Sequence, residues 1–205
     1  GLQRITISLD TLDDDIFKQM NGRGFGTQRA LLGIERAAAV GLSPIKINAV
    51  VQKGVNDHTL VELARYVRGR GHIARFIEYM DVGNRSGWKL DQVVPADEIV
   101  AMIDAEMPLE PMKPNYPGET ALRYRYRDGG GEVGIIASVT KPFCGDCTRL
   151  RLSPEGRIYT CLFAGVCNDL RGPMRDGATD EQMEAIIGGA WAARTDRYSA
   201  ERASM

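Results

Sequence analysis

Long apolar runs are missing from this chain. No stretch approaches the roughly 20 apolar residues that a membrane span needs, and no signal peptide opens it, so a cytoplasmic setting without membrane partners is expected. A surplus of either charge is missing too: 26 Lys and Arg stand against 27 Asp and Glu, for a net charge of −1 at pH 7. No global basic field is available to recruit nucleic acid. Histidine occurs only twice and cysteine only four times, and all four cysteines fall between residues 144 and 167. In a reducing compartment, thiols clustered in this way bind metal or carry out redox chemistry more often than they form structural bridges.

What is present reads first as alternating strands and helices. "RITIS" (4–8) has the look of a short strand. "TQRALLGIERAAAV" (27–40) sets Ala30, Leu31, Ile34, Ala37 and Ala38 on one helical stripe, and Gly41 stops it. "IKINAVV" (45–51) alternates, with Ile45, Ile47, Ala49 and Val51 on one side and Lys46 and Asn48 on the other. Asp57 is a candidate cap for a helix whose stripe is Leu60, Leu63, Ala64 and Val67. "IARFIEYM" (73–80) is a third strand. This order and spacing match right-handed parallel βα units. Three such strands do not close a sheet. The reading therefore expects an open parallel sheet with helices on one face, an uncovered edge at residues 4–8, and further strands carried outside this chain.

The pattern changes after residue 81. "VPADEIVAMIDAEM" (94–107) supplies one more helix, and the Pro-rich "PLEPMKPNYPGE" (108–119) suggests a boundary. "ALRYRYR" and "EVGIIASV" read as two strands joined by Asp128 and three glycines. That glycine run lacks the GxxxxGK spacing of a phosphate cradle, so it is a hairpin turn. A final helix is predicted from a capping box, Thr179 with Gln182, and presents Met183, Ile186, Ile187, Ala190 and Trp191 on one face.

The thiols lie in "TKPFCGDCTRLRLSPEGRIYTCLF" (140–163), where Ser153-Pro154-Glu155-Gly156 separates two alternating runs. With Pro154 and Glu155 as the turn centre, Cys161 is expected opposite Thr148, beside Cys147. Cys144, Cys147 and Cys161 are then expected to converge as one site of three thiolates. From spacing alone an iron–sulfur cluster, zinc and a redox role all stay open. Zinc structural sites usually take two close pairs, and Cys161 and Cys167 are widely spaced for a second pair.

Five stretches, "ISLDTLDDDIF", "IKINAVVQKGVND", "RFIEYMDVGNRSGW", "FCGDCTRLRLSPEGRIYTCLF" and "RTDRYSAER", taken in order, resemble the molybdenum cofactor biosynthesis protein A family of radical S-adenosylmethionine (SAM) enzymes. The resemblance covers essentially the whole chain. It implies GTP 3′,8-cyclase activity, converting GTP to 3′,8-cyclo-7,8-dihydro-GTP, with GTP and SAM as partners and room for a homodimer. It implies an α/β fold: the C-terminal half of an incomplete (β/α) TIM-like barrel over residues 1–107, and a small α+β cluster- and GTP-binding domain over residues 108–205. It implies that Cys144, Cys147 and Cys161 hold a 4Fe–4S cluster with one open iron, and that Lys46, Arg149, Leu150 and Arg151 contact GTP. Ser8 and Met80 would contact SAM. The family's other 4Fe–4S cluster uses a CxxxCxxC motif, which does not occur here; that cluster is expected only on an N-terminal part outside this chain, and the chain is expected to be inactive alone. Cys167 departs from the three-ligand pattern. Period-two phasing leaves open which of Arg75 and Glu78 faces the barrel lumen, and no side chain is assigned as catalytic. The rival from another class is a zinc-binding interaction module.

Overall fold

A computed structural model describes residues 1–80, 82 and 87–202; positions 81 and 83–86 of the motif spanning 75–88, and residues 203–205, lie outside the described residues. These fall into two compact units, residues 1–80 with 87–141, and residue 82 with 142–202. No described helix is long and apolar enough to cross a membrane.

The first unit starts with β1 (Ile5–Ser8) and α1 (Asp14–Asn21). α1 is short and was not expected from periodicity. It forms because the Asp13 carboxylate accepts from the Asp15 and Ile16 amides, each at 2.9 Å, and Gly22 leaves it in a left-handed conformation at φ 60°. α2 (Gln28–Ala39), β2 (Ile45–Val51), α3 (Leu60–Arg68) and β3 (Ile73–Glu78) follow where periodicity places them. Asp57 does not cap α3. Its carboxylate instead accepts from the Gly54 amide at 3.0 Å and closes the turn before a short 3-10 lead-in.

α4 (Ala96–Glu106) then leads into β4 (Leu109–Met112), β5 (Leu122–Tyr126) and β6 (Glu132–Ile136). The six strands form one sheet in the order β1-β2-β3-β6-β5-β4. The pairings β1–β2, β2–β3 and β3–β6 are parallel, and β6–β5 and β5–β4 are antiparallel. So the Pro-rich stretch at 108–119 is not a break: it contributes a strand to the sheet, and the compact unit ends at 141 rather than 107. The reason is local. Gly129 and Gly131, at φ 81° and 93°, turn β5 back onto β6, and the α4 crossover delivers β6 beside β3 as a fourth parallel strand.

The core lies on one face of this sheet. Ile45, Ile47, Ala49, Val51, Ala74, Phe76, Val133 and Ile135 pack against Ile34, Ala37, Leu60, Leu63, Val67, Ile99 and Ile103 of the helices. The opposite face of β1–β3 carries Thr6, Ser8, Lys46, Asn48 and Arg75, which are only partly covered or exposed. Among the described residues β1 is an edge strand, with a backbone row unpaired in the sheet.

The second unit holds a small antiparallel sheet, β7 (Arg151–Leu152), β8 (Arg157–Tyr159) and β9 (Asn168–Asp169), then α5 (Arg171–Arg175), α6 (Asp180–Ala192) and α7 (Tyr198–Arg202). The capping box forms as expected, with Thr179 Oγ1 accepting from the Gln182 amide at 3.3 Å. The expected inward face of α6 does not form a core. None of its residues is buried, and Ile187 and Trp191 are each 36% exposed.

Candidate functional site

The candidate residues fall in two places in the fold, one in each unit. In the first, the uncovered face of the sheet bounds a polar cavity of about 790 Å³, lined by Arg4, Lys46, Arg75, Arg123, Glu119 and Glu132 among others. Lys46 reaches it because its neighbours Ile45 and Ile47 are committed to the helix side. Arg75 shares that face, since Asn48 pairs with Arg75 across β2–β3.

Three of these charges are tied. Arg123 pairs with Glu132 and donates to Asn115 Oδ1 at 2.8 Å and the Lys113 carbonyl at 3.1 Å. Arg75 Nη2 reaches Thr120 Oγ1 at 3.4 Å. Among the described residues Lys46 has no hydrogen-bond or ion-pair partner. Burial, with the Arg75 guanidinium second, holds its ammonium below the ordinary lysine range, against the pull of Glu119 and Glu132. One pleat further along, Asn48 Oδ1 is buried with no hydrogen-bond partner. The cavity therefore presents an underneutralised cation, and an anion entering it would relieve the repulsion.

Ser8 and Met80 stand at or just beyond the C-terminal ends of β1 and β3, the former exposed and the latter half-buried. Glu78, by contrast, faces the helices and is fully buried. Its carboxylate accepts from Ala96 N at the start of α4 (2.7 Å), from Val139 N (2.7 Å) and Thr140 N (2.8 Å), and from the Thr140 hydroxyl. Residues 138–140 and the α4 N-terminus are thus pinned to the end of β3. Arg75 faces the cavity and Glu78 is a clamp.

The second place is the cysteine region. Cys144 and Cys147 share a turn closed by the Cys147 amide on the Cys144 carbonyl at 3.4 Å. Cys147 is buried, and Cys144, Cys161 and Cys167 are half-buried; all four are free thiols. The hairpin register differs from expectation by one residue. Arg151 pairs with Tyr159 and Leu152 with Ile158, so Cys161 lies in line with Arg149 rather than Thr148. The cause is a three-residue turn: Gly156 N–H bonds the Ser153 carbonyl at 2.9 Å, and Gly156 takes a left-handed φ of 78°. Among the described residues no three Cys, His, Asp or Glu side chains gather into a group that could hold a metal ion. The thiolate chemistry suits a cluster, but the thiols as placed do not form a cluster pocket. Arg149 lies over the Phe143 ring at 4.9 Å, Leu150 is 37% exposed, and Arg151 Nη1 is buried without a hydrogen-bond partner.

Compared with known proteins, residues 1–67 match the radical SAM superfamily and residues 72–200 match the family described as molybdenum cofactor synthesis C. This chain belongs to the molybdenum cofactor synthesis C family. Its relatives include the GTP 3′,8-cyclase of Acidothermus cellulolyticus, 51% identical over 207 residues, which cover 99% of this chain and 57% of that protein. The GTP 3′,8-cyclases of Xanthomonas campestris and Staphylococcus aureus are 44% and 42% identical, each over 100% of this chain and 60% of their own length. The chain thus spans roughly three fifths of the family members it matches.

Proposed function

We propose that this chain is the substrate-binding portion of a GTP 3′,8-cyclase, with Lys46, Arg149, Leu150 and Arg151 contacting GTP and Ser8 and Met80 contacting SAM. The observation that carries the reading is the cavity around Lys46, a half-buried cation beside Arg75 with no anionic partner at hydrogen-bond distance. A triphosphate supplies what it lacks. The likeness to named GTP 3′,8-cyclases, over essentially all of this chain, supports the same substrate. In this reading the sheet carried by residues 1–141 is part of a TIM-like barrel, and residues 142–202 are the portion that carries the cluster ligands.

Within that activity the residues here bind and orient. Cations on the phosphates fix the nucleotide, and a fixed nucleotide brings ribose C3′ and guanine C8 within bonding reach. Cys144, Cys147 and Cys161 are the proposed thiolate ligands of a 4Fe–4S cluster with an open iron for guanine. Radical initiation is chemistry that SAM and a CxxxCxxC-bound cluster supply when bound. This sequence contains no such motif, so the chain is proposed to bind GTP without turning it over.

The test is anaerobic reconstitution with iron and sulfide, followed by GTP binding. Brown visible absorption is expected for the parent chain and for Cys167→Ala, and its loss in Cys144→Ala, Cys147→Ala and Cys161→Ala. GTP binding should weaken about tenfold or more in Lys46→Met, as loss of a charge-assisted contact implies. A colourless protein that holds zinc instead would replace this reading with a zinc-binding module. Formation of 5′-deoxyadenosine by the chain alone would overturn the proposed inactivity.

A further inference from the structure

The stretch "RTDRYSAER" (194–202) acquires a role in the structure that neither the cavity nor the thiols account for. Arg194 Nη1 donates to the Cys147 carbonyl at 2.6 Å. Two residues on, Asp196 Oδ2 accepts from the hydroxyl of Thr160, the residue before Cys161. Arg194 Nε stands 4.0 Å from Asp196 Oδ2, so the two side chains form one ion pair, 13% and 28% exposed respectively. Beyond them the Tyr198 ring stacks on Phe163, two residues past Cys161, with centroids 4.2 Å apart. The Arg202 guanidinium lies 5.6 Å from the Phe163 ring. One continuous segment therefore grips the CxxC turn on one side and both flanks of Cys161 on the other.

Backbone hydrogen bonds within the hairpin do not do this. The register ends at Tyr159 opposite Arg151, before either cysteine is reached. Contacts from residues 194–198 instead reach both the CxxC turn and the flanks of Cys161.

We propose that residues 194–202 form a strap that sets the relative position of the Cys144–Cys147 turn and Cys161, with Arg194 and Asp196 as its positioning residues. The inference rests on the reading that these three thiols act together. Arg194 is suited to the task because a planar guanidinium can donate to a carbonyl with one nitrogen and face a carboxylate with another, whereas a lysine offers one compact ammonium.

The experiment uses the full chain without metal. Arg194→Ala, Arg194→Lys and Asp196→Asn variants are labelled under native conditions with the thiol reagent DTNB. A parallel sample of each is pulsed with an isotopic alkylating agent, so that mass spectrometry gives the rate at each cysteine. In Arg194→Ala, Cys147 is expected to react about tenfold faster or more, the range one charge-assisted hydrogen bond supports. Arg194→Lys should restore part of its protection, and Asp196→Asn should speed Cys161 selectively. Cys167 serves as the internal control and should be unchanged in all three. Equal acceleration of every thiol would mean general loosening and would overturn the proposal, as would unchanged rates at Cys147 in a folded Arg194→Ala chain. The ligation reading fails separately, through iron retention in the cysteine variants, so the two outcomes are distinguishable.

Discussion

Glu78→Gln is the substitution whose consequence the structure specifies most completely. The buried carboxylate satisfies three backbone amides, Ala96, Val139 and Thr140, and one hydroxyl. A glutamine keeps one acceptor oxygen and places an NH₂ where the other stood. Its better orientation puts the oxygen on Val139 and Thr140, because the Thr140 hydroxyl can turn to accept from the new NH₂. The Ala96 amide is then stranded against a donor at the α4 N-terminus, where a negative group was favourable. One stranded buried donor costs about 1–3 kcal/mol, and the lost helix-terminus interaction adds up to about 1 kcal/mol. The expected destabilisation is therefore about 1–4 kcal/mol. Glu78→Ala strands all three amides and should cost about 4 kcal/mol or more, a large share of a typical domain's stability. Urea unfolding of the two variants gives the totals. Hydrogen exchange at Ala96, Val139 and Thr140 locates them, and all three amides should exchange faster in the Ala variant, with Ala96 the most affected in Gln. A Glu78→Gln variant within about 0.5 kcal/mol of the parent, a change typical of a neutral surface site, would refute the clamp.

Gly156→Ala should loosen the hairpin that carries the cysteines. The new Cβ would sit in a left-handed backbone at φ 78° and 2.8 Å from Arg171 Cβ, costing about 1–3 kcal/mol; an unchanged melting midpoint for this unit would contradict the three-residue turn. Lys46→Met should flatten the alkaline arm of the stability profile. The folded-state lysine titrates below the unfolded one, so between its depressed pKa and 10.5 the unfolded chain holds a proton the folded chain has shed. Stability from this group rises with pH across that window. Urea midpoints measured from pH 8 upward should show that rise in the parent and lose it in the variant, while a bound phosphate, by favouring the charged form, should displace the rise to higher pH.

Period alone determined a good part of this molecule. Alternation in "IKINAVV" was enough to send Ile45 and Ile47 to the helices and Lys46 to the opposite face, because neighbouring side chains on a strand must point to opposite sides. The α3 stripe, the β5–β6 hairpin and the Thr179 capping box were legible for the same reason: each depends on residues within a few positions of one another. The parallel pairing of the first three strands, with their helices on one face, followed from the strand–helix spacing, while the three further strands of the sheet did not.

Tertiary structure decided whatever depended on pairing across distance. The strands around the Pro-rich stretch could have opened a new domain or continued the sheet, and the parallel pairing of β6 with β3 settled that. Period-two phase could not rank Arg75 against Glu78, since residues three apart face opposite ways and nothing local says which way is covered. The helices packed on Phe76 and Ala74 made Glu78 the buried one. The hairpin register turned on whether the turn held two residues or three, a choice made by one left-handed glycine against Arg171. The strap was invisible in the sequence because Arg194 and Cys147 are 47 positions apart, and no periodicity links a guanidinium to a carbonyl at that separation.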